Sequence, residues 1–243
     1  YSLTYLQGFL QSNSDLTIMA VDLNAALHAK RFTNAYEQMD KLLIDYNYET
    51  YQQHAKKLDQ ELRAYAKEEN AKIRKGEESQ ALDYCLQQLL KHKPTKVLFS
   101  VVYNSQAFFT QALAKKLQEQ GIKVIIGGPS VTPQLKKAAT YLPHEVALLE
   151  HLTKKEQDMQ TLDCRRINDY STLKEHYLAP TTVIPLKTSS CCYYQQCAFC
   201  THHGKGTYTE YDIEDLKESI TRSQAKLVFL VDDMIHKKRL LDL

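Results

Sequence analysis

Apolar and polar positions alternate along this chain with two different periods, and the places where the period changes mark its elements. The opening SLTYLQGFLQS sets Leu3, Leu6, Phe9 and Leu10 at helical spacing, and DLTIMAVDLN after it is a short apolar run rich in strand formers. From residue 25 to about residue 75 the chain is polar, almost without Gly or Pro, and rich in Ala, Leu, Glu, Lys and Gln, which predicts helix up to Gly76. The tyrosines there (Tyr36, Tyr46, Tyr48, Tyr51, Tyr65) suit a ligand surface or, more simply, the packed stripe of amphipathic helices. Residues 79–92 predict a further helix, with Leu82, Leu86, Leu89 and Leu90 on one face, ending before Pro94.

The clearest alternation comes next. Strand 96–103 (KVLFSVVY), helix 106–120 stopped by Gly121, and strand KVIIGG form a strand–helix–strand unit, which predicts neighbouring parallel strands in a doubly wound α/β sheet. Ligands of such sheets sit beyond the carboxyl ends of the strands, so Asn104, Ser105, Gly127 and Gly128 are the candidate binding positions. The paired glycines admit a ligand, a second backbone or a plain turn equally well. Another apolar stretch covers residues 142–152, after which composition turns polar.

A boundary is expected near residues 165–182, where no period is sustained and turn formers precede Pro180. The organisation read from the sequence is therefore an α/β domain over 1–165 with a helical insertion at about 25–92, a linker over 166–182, and a second region over 183–243. That region predicts a strand (TVIPLKTS), a loop (SCCYYQQCAFCTHHGKG), a helix over 212–223 with Ile213, Leu216 and Ile220 on one face, and a strand (KLVFLVDDM). Strand, loop, helix, strand is how a β/α barrel or sheet begins, with its functional face at the strand ends.

Composition narrows the setting. Apolar and charged fractions of 43% and 25% are those of a globular chain, and no run approaches the roughly 20 apolar residues of a membrane span, so a cytoplasmic protein with no membrane partner is expected. With 31 basic against 29 acidic residues there is no charge excess to attract nucleic acid, and none is expected as a partner. The first residues lack both signal-peptide features and an initiator Met, which predicts a chain that begins inside a longer gene product or after processing.

Of the six cysteines, Cys85 and Cys164 stand alone while Cys191, Cys192, Cys197 and Cys200 crowd one loop. In a reducing compartment that clustering favours a metal or redox site over a disulfide framework. Cys192, Cys197 and Cys200 read C-x4-C-x2-C, with Gly204 and Gly206 behind them to let the backbone wrap a bulky centre. Thiolates are the usual ligands of iron–sulfur clusters, and a cubane held by three of them leaves one iron open. Two other readings use the same residues. A structural zinc site would take the three thiolates with His202 or His203, making the region a binding module without redox chemistry. A non-catalytic ligand-binding protein would keep the α/β domain beside an inert second region.

The stretch PLKTSSCCYYQQCAFCTHHGKG, followed by a helix and FLVDDMI, resembles the opening of the radical S-adenosylmethionine superfamily. It is most similar to the class whose barrel follows a cobalamin-binding domain, because SLTYLQGFLQ, VDLN, VLFSVVYNSQ and KVIIGGPSV precede it in the order of that class. The resemblance spans nearly the whole chain. It implies a cobalamin-binding-like Rossmannoid domain, then the first βαβ portion of a partial TIM barrel. It also implies a 4Fe–4S cluster on Cys192, Cys197 and Cys200, and S-adenosylmethionine at the open iron with Phe199 beside its adenine. Reductive cleavage to a 5′-deoxyadenosyl radical would draw on an electron donor such as a flavodoxin or ferredoxin and act on a small-molecule or peptide substrate. Asp232 and Asp233 stand where the superfamily carries the segment that holds the methionyl amine; otherwise they cap the next helix.

Two departures qualify the likeness. The first gap is one residue longer than the common C-x3-C-x2-C, which leaves Cys191 as a spare thiol or an alternative ligand. No D-x-H-x-x-G motif supplies a histidine under cobalt, so cobalamin would bind without a lower protein ligand or not at all. The residues after Cys200 suffice for one helix and one strand, and the resemblance implies further strand–helix units beyond them.

Overall fold

The computed structural model describes residues 2–158, 160–163, 168, 170, 177, 181–199 and 207–243. In chain order the helices before the first sheet are α1 (Ser2–Ser12), α2 (Leu23–Arg31), α3 (Thr33–Ile44), α4 (Tyr48–Lys75) and α5 (Gln80–Leu90). Then follow β1 (Lys96–Ser100), a 3-10 turn (Asn104–Gln106), α6 (Ala107–Glu119), β2 (Lys123–Gly127), α7 (Pro133–Ala138), β3 (Thr140–Tyr141) and α8 (Glu145–Thr153). The last part holds β4 (Val183–Leu186), β5 (Ser189–Ser190), β6 (Thr209–Glu210), α9 (Ile213–Ser223), β7 (Leu227–Leu230) and α10 (Lys237–Asp242). Two compact units result, one of residues 22–154 with 175–180, the other of residues 1–21, 155–174 and 181–243. None of the described helices is long and apolar enough to cross a membrane.

The first unit is an α/β structure around a parallel sheet in the order β1-β2-β3. Val97 lies opposite Val124 and Phe99 opposite Ile126. Val124, Ile125 and Ile126 are buried in succession, which places β2 at the centre with both faces covered. Leu113, Ala114 and Leu117 of α6, Leu82 and Cys85 of α5, and Leu135 of α7 close over it. The helical stretch expected over 25–75 is divided into three. Asp22 caps the first of them and Asn47 the last, accepting from the amides of Ala25 and Thr50, while α3 starts after Phe32 without a side-chain cap. A single helix of that length would leave an apolar stripe in water, whereas folding back lets Tyr36 and Met39 of α3 pack on Tyr51, Leu58 and Leu62 of α4. In the turn between α3 and α4, Tyr46 lies in the left-handed region at φ 55°.

Glu69 joins α4 to α5. It is 3% exposed and accepts from the Ser79 hydroxyl at 2.7 Å, the Ala81 amide at 3.0 Å and the Lys72 ammonium at 2.7 Å. Ser79 in turn caps α5 by accepting from the Leu82 amide. Burial alone raises the Glu69 carboxyl pKa, but Lys72 and the two further donors outweigh it and hold the group below its ordinary range.

The second unit pairs β4 with β7 in parallel, Val183 opposite Leu227 through Leu186 opposite Leu230, with α9 as the crossover. Asp212 caps α9 through the amides of Glu214 and Asp215. Helix α1 belongs to this unit, although the sequence reading opens the N-terminal domain with it. The Thr4 hydroxyl donates to Asn168 Oδ1, the Asn168 amide donates to Ser219 Oγ on α9, and Asn13 exchanges two hydrogen bonds with the Asp163 backbone. An amphipathic stripe announces that a helix will pack, not which sheet it will meet. The strand expected in DLTIMAVDLN does not form: residues 14–22 are irregular, and Leu16 and Met19 stay exposed.

Gly128 follows β2 at φ 106°, and a Cβ there would lie 2.5 Å from the Val101 carbonyl oxygen and 2.8 Å from its amide nitrogen. Gly121 has a similar φ of 76° but open space around it. Gly128→Ala is therefore expected to cost about 2 kcal/mol or more and Gly121→Ala only about 1 kcal/mol, read as shifts in urea midpoint. For Glu69 the depressed carboxyl sets the sign. Its contribution is present above the unfolded carboxylate pKa and is lost as pH falls through the lower folded value. Glu69→Gln should lower unfolding free energy by about 2 kcal/mol at neutral pH, and the gap to the parent should narrow below about pH 4.

Candidate metal and cofactor site

The chain leaving β4 is held by the chain leaving β7. Ladder pairing continues one step past β7, with the Val231 amide donating to the Leu186 carbonyl at 2.9 Å. Asp232 then turns its carboxylate onto the next residues of the neighbouring strand. It accepts from the Thr188 amide at 3.0 Å, the Thr188 hydroxyl at 2.9 Å, and the Ser189 amide and hydroxyl at 2.9 Å each. Thr188 and Ser189 are 0% and 1% exposed, so these donors have no water to turn to. Arg239 of α10 completes the grip. Its guanidinium donates to the Thr188 carbonyl at 2.9 Å and 3.2 Å, to the Tyr211 carbonyl, and to Glu210 Oε2 at 3.3 Å.

Those contacts tie the neck of the cysteine loop. β5 and β6 pair antiparallel, Ser189 opposite Glu210 and Ser190 opposite Thr209, so residues 191–208 leave and return through one narrow ladder. Ser190 Oγ accepts from the Thr209 amide at 3.1 Å and donates to the Thr207 carbonyl at 3.1 Å. Inside the loop, Cys191 and Gln195 adopt left-handed φ values of 55° and 47°. The Tyr193 ring stacks on His236 at 3.8 Å between centroids, and Tyr208 meets His236 edge-on at 6.0 Å.

Among the sequence-predicted site residues, Cys191, Cys192 and Cys197 are partly buried free thiols on this loop. Cys200 lies outside the described residues, as do His202 and His203, so the full ligand set expected from C-x4-C-x2-C is not described. Among the described residues no three His, Cys, Asp or Glu side chains converge as metal ligands. The donors nonetheless fit a thiophilic centre in kind, since the described loop thiols are unbridged and partly reachable. Phe199 is 90% exposed. Of the two aspartates, Asp233 is exposed, whereas Asp232 directs its carboxylate at Thr188 and Ser189. Cys85 is of another kind: burial pushes its thiol up to about 12, which makes it an inert core residue.

The candidate positions of the first unit lie beside backbone groups that the chain itself engages. Asn104 and Ser105 are exposed in the 3-10 turn, but the Val102 and Tyr103 amides beside them donate to Gln106 Oε1 at 2.9 Å and 3.0 Å. The space over Gly128 is taken by the Val101 backbone, and a Cβ on Gly127 would meet the Leu142 carbonyl at 3.2 Å. Sequence reasoning missed Thr188, Ser189, Arg239, Tyr193, Tyr208 and His236. Only the tyrosines flanking the cysteines gave any local signal; the rest are joined by contacts between segments far apart in sequence.

No family model, curated protein or solved structure matches this chain.

Replacing Asp232 with Asn leaves one acceptor oxygen where two served four donors. Asp232→Asn is expected to lower stability by about 1–3 kcal/mol in denaturant titration, with faster hydrogen exchange at the Thr188 and Ser189 amides.

Proposed function

We propose that this chain is the N-terminal portion of a radical S-adenosylmethionine enzyme, holding a 4Fe–4S cluster on Cys192, Cys197 and Cys200. The observation that carries this reading is a thiol-bearing loop, spaced C-x4-C-x2-C, leaving the carboxyl end of β4 in a parallel β–α–β unit whose loop neck is tied by Asp232 and Arg239. When bound, such a cluster supplies the electron that opens the sulfonium of S-adenosylmethionine to a 5′-deoxyadenosyl radical. The chain's own share is positional. Thr188 and Ser189, locked by Asp232, set the direction in which the loop departs, and β5 with β6 return it to the same point. The exposed Phe199 ring offers an apolar face on which an adenine would stack. Asp233, exposed directly after the strand-end Asp232, is the carboxylate we assign to the methionyl amine. Cobalamin is given no step in the proposed reaction, because the chain carries no D-x-H-x-x-G motif and Gly127 and Gly128 lie close to the Leu142 and Val101 backbone.

Anaerobic reconstitution followed by iron and sulfide analysis tests the reading. About four iron and four sulfide per chain are expected. Cys192→Ser, Cys197→Ser and Cys200→Ser should each lose most of the iron, while Cys191→Ser keeps it. Stoichiometric zinc without iron would replace the proposal with a Cys3His binding module.

A further inference from the structure

We infer that Tyr193, His236 and Tyr208 form an aromatic clamp that holds the cysteine loop in its ligand-presenting shape, His236 acting as a positioning residue. The inference rests on the proposed cluster site only for its purpose; the clamp itself stands on geometry. Tyr193 directly follows Cys192, so whatever fixes its ring fixes the Cys192 backbone one peptide away. That ring lies against His236 at 3.8 Å with 20° between planes, a stacked contact, and the Tyr208 ring closes edge-on at 5.8 Å from Tyr193 and 6.0 Å from His236. The three residues come from the outgoing limb of the loop, the segment after β7, and the returning limb.

The loop needs such a hold. Left-handed backbone at Cys191 and Gln195, neither a glycine, costs free energy that something outside the turn must offset. Burial does not supply it, for His236 is exposed and Tyr193 and Tyr208 are only partly covered. Ring contact at van der Waals distance does. The trio is also wired to the loop neck: the Tyr208 hydroxyl donates to Glu210 Oε1 at 2.8 Å, and Glu210 Oε2 accepts from Arg239. A single network thereby runs from the thiol-bearing turn to the strand end held by Asp232.

The test uses the metal-free full chain and then the reconstituted one. In metal-free protein, alkylation of the Cys192 and Cys197 thiols is followed by peptide mass spectrometry, with buried Cys85 as the unreactive internal reference. His236→Ala should raise those rates by about fivefold, and His236→Phe, which keeps a stacking ring, should stay within about twofold of the parent. Tyr193→Leu should match His236→Ala from the other side of the stack, which guards against a folding defect peculiar to one variant. After reconstitution, His236→Ala should release iron to a chelator about fivefold faster than the parent and His236→Phe should not. Unchanged alkylation rates in both His236→Ala and Tyr193→Leu overturn the clamp, even when the parent binds iron. Faster rates in a parent that takes up no iron leave the clamp standing and remove the proposed cluster.

Discussion

The carboxylate of Asp232 is what makes the end of β4 a fixed point. The pairing of β4 with β7 is four residues long, and two short strands are marginal by themselves. Hydrogen bonds to an ionised acceptor are stronger than neutral ones, and here they reach two backbone amides and two hydroxyls that burial has cut off from water. Arg239 holds the same residue by its other backbone group, taking the Thr188 carbonyl while Asp232 takes the amide, and pairs its charge with Glu210. Each polar group of this residue is thus engaged, and the direction in which the chain leaves the strand is set before any cysteine is reached.

The two units treat their strand ends differently. After β1, Gln106 turns back to accept the amides of Val102 and Tyr103, and Gly128 lets the β2 end press against Val101. The Val102 and Tyr103 amides are consumed in closing the turn. After β4, the corresponding groups are consumed by Asp232 and Arg239, and the chain is released beyond them as a loop carrying thiols. Internal satisfaction closes one strand end and provides an anchor at the other.

Much of the element order was legible because it depends on local period. The β1–α6–β2 unit and the β4–α9–β7 unit stand where alternation and helical spacing put them, with Gly76 and Asp212 at helix boundaries. The irregular run over 14–22 and the assignment of α1 were not legible. An apolar run has strand propensity only so far as a neighbouring strand is there to pair with it, and α1 found its partners in Asp163, Asn168 and Ser219. Similarly, the helical composition over 25–75 carried no sign of the break over 45–47, because that fold-back is driven by α3 meeting α4.

For the site, spacing along the chain was enough to single out the thiols, since three cysteines within one loop are a local fact, and it nominated Asp232 and Asp233 by their place after a strand. Tertiary structure decided what Asp232 does, where Arg239 reaches, and that Tyr193 and His236 share a ring face. Those contacts join residues tens of positions apart, and their energies depend on burial and on distances of a few ångströms that no local pattern encodes. Ligand type is written in side-chain chemistry, whereas the orientation of a ligand is a property of the packed neighbours that hold it.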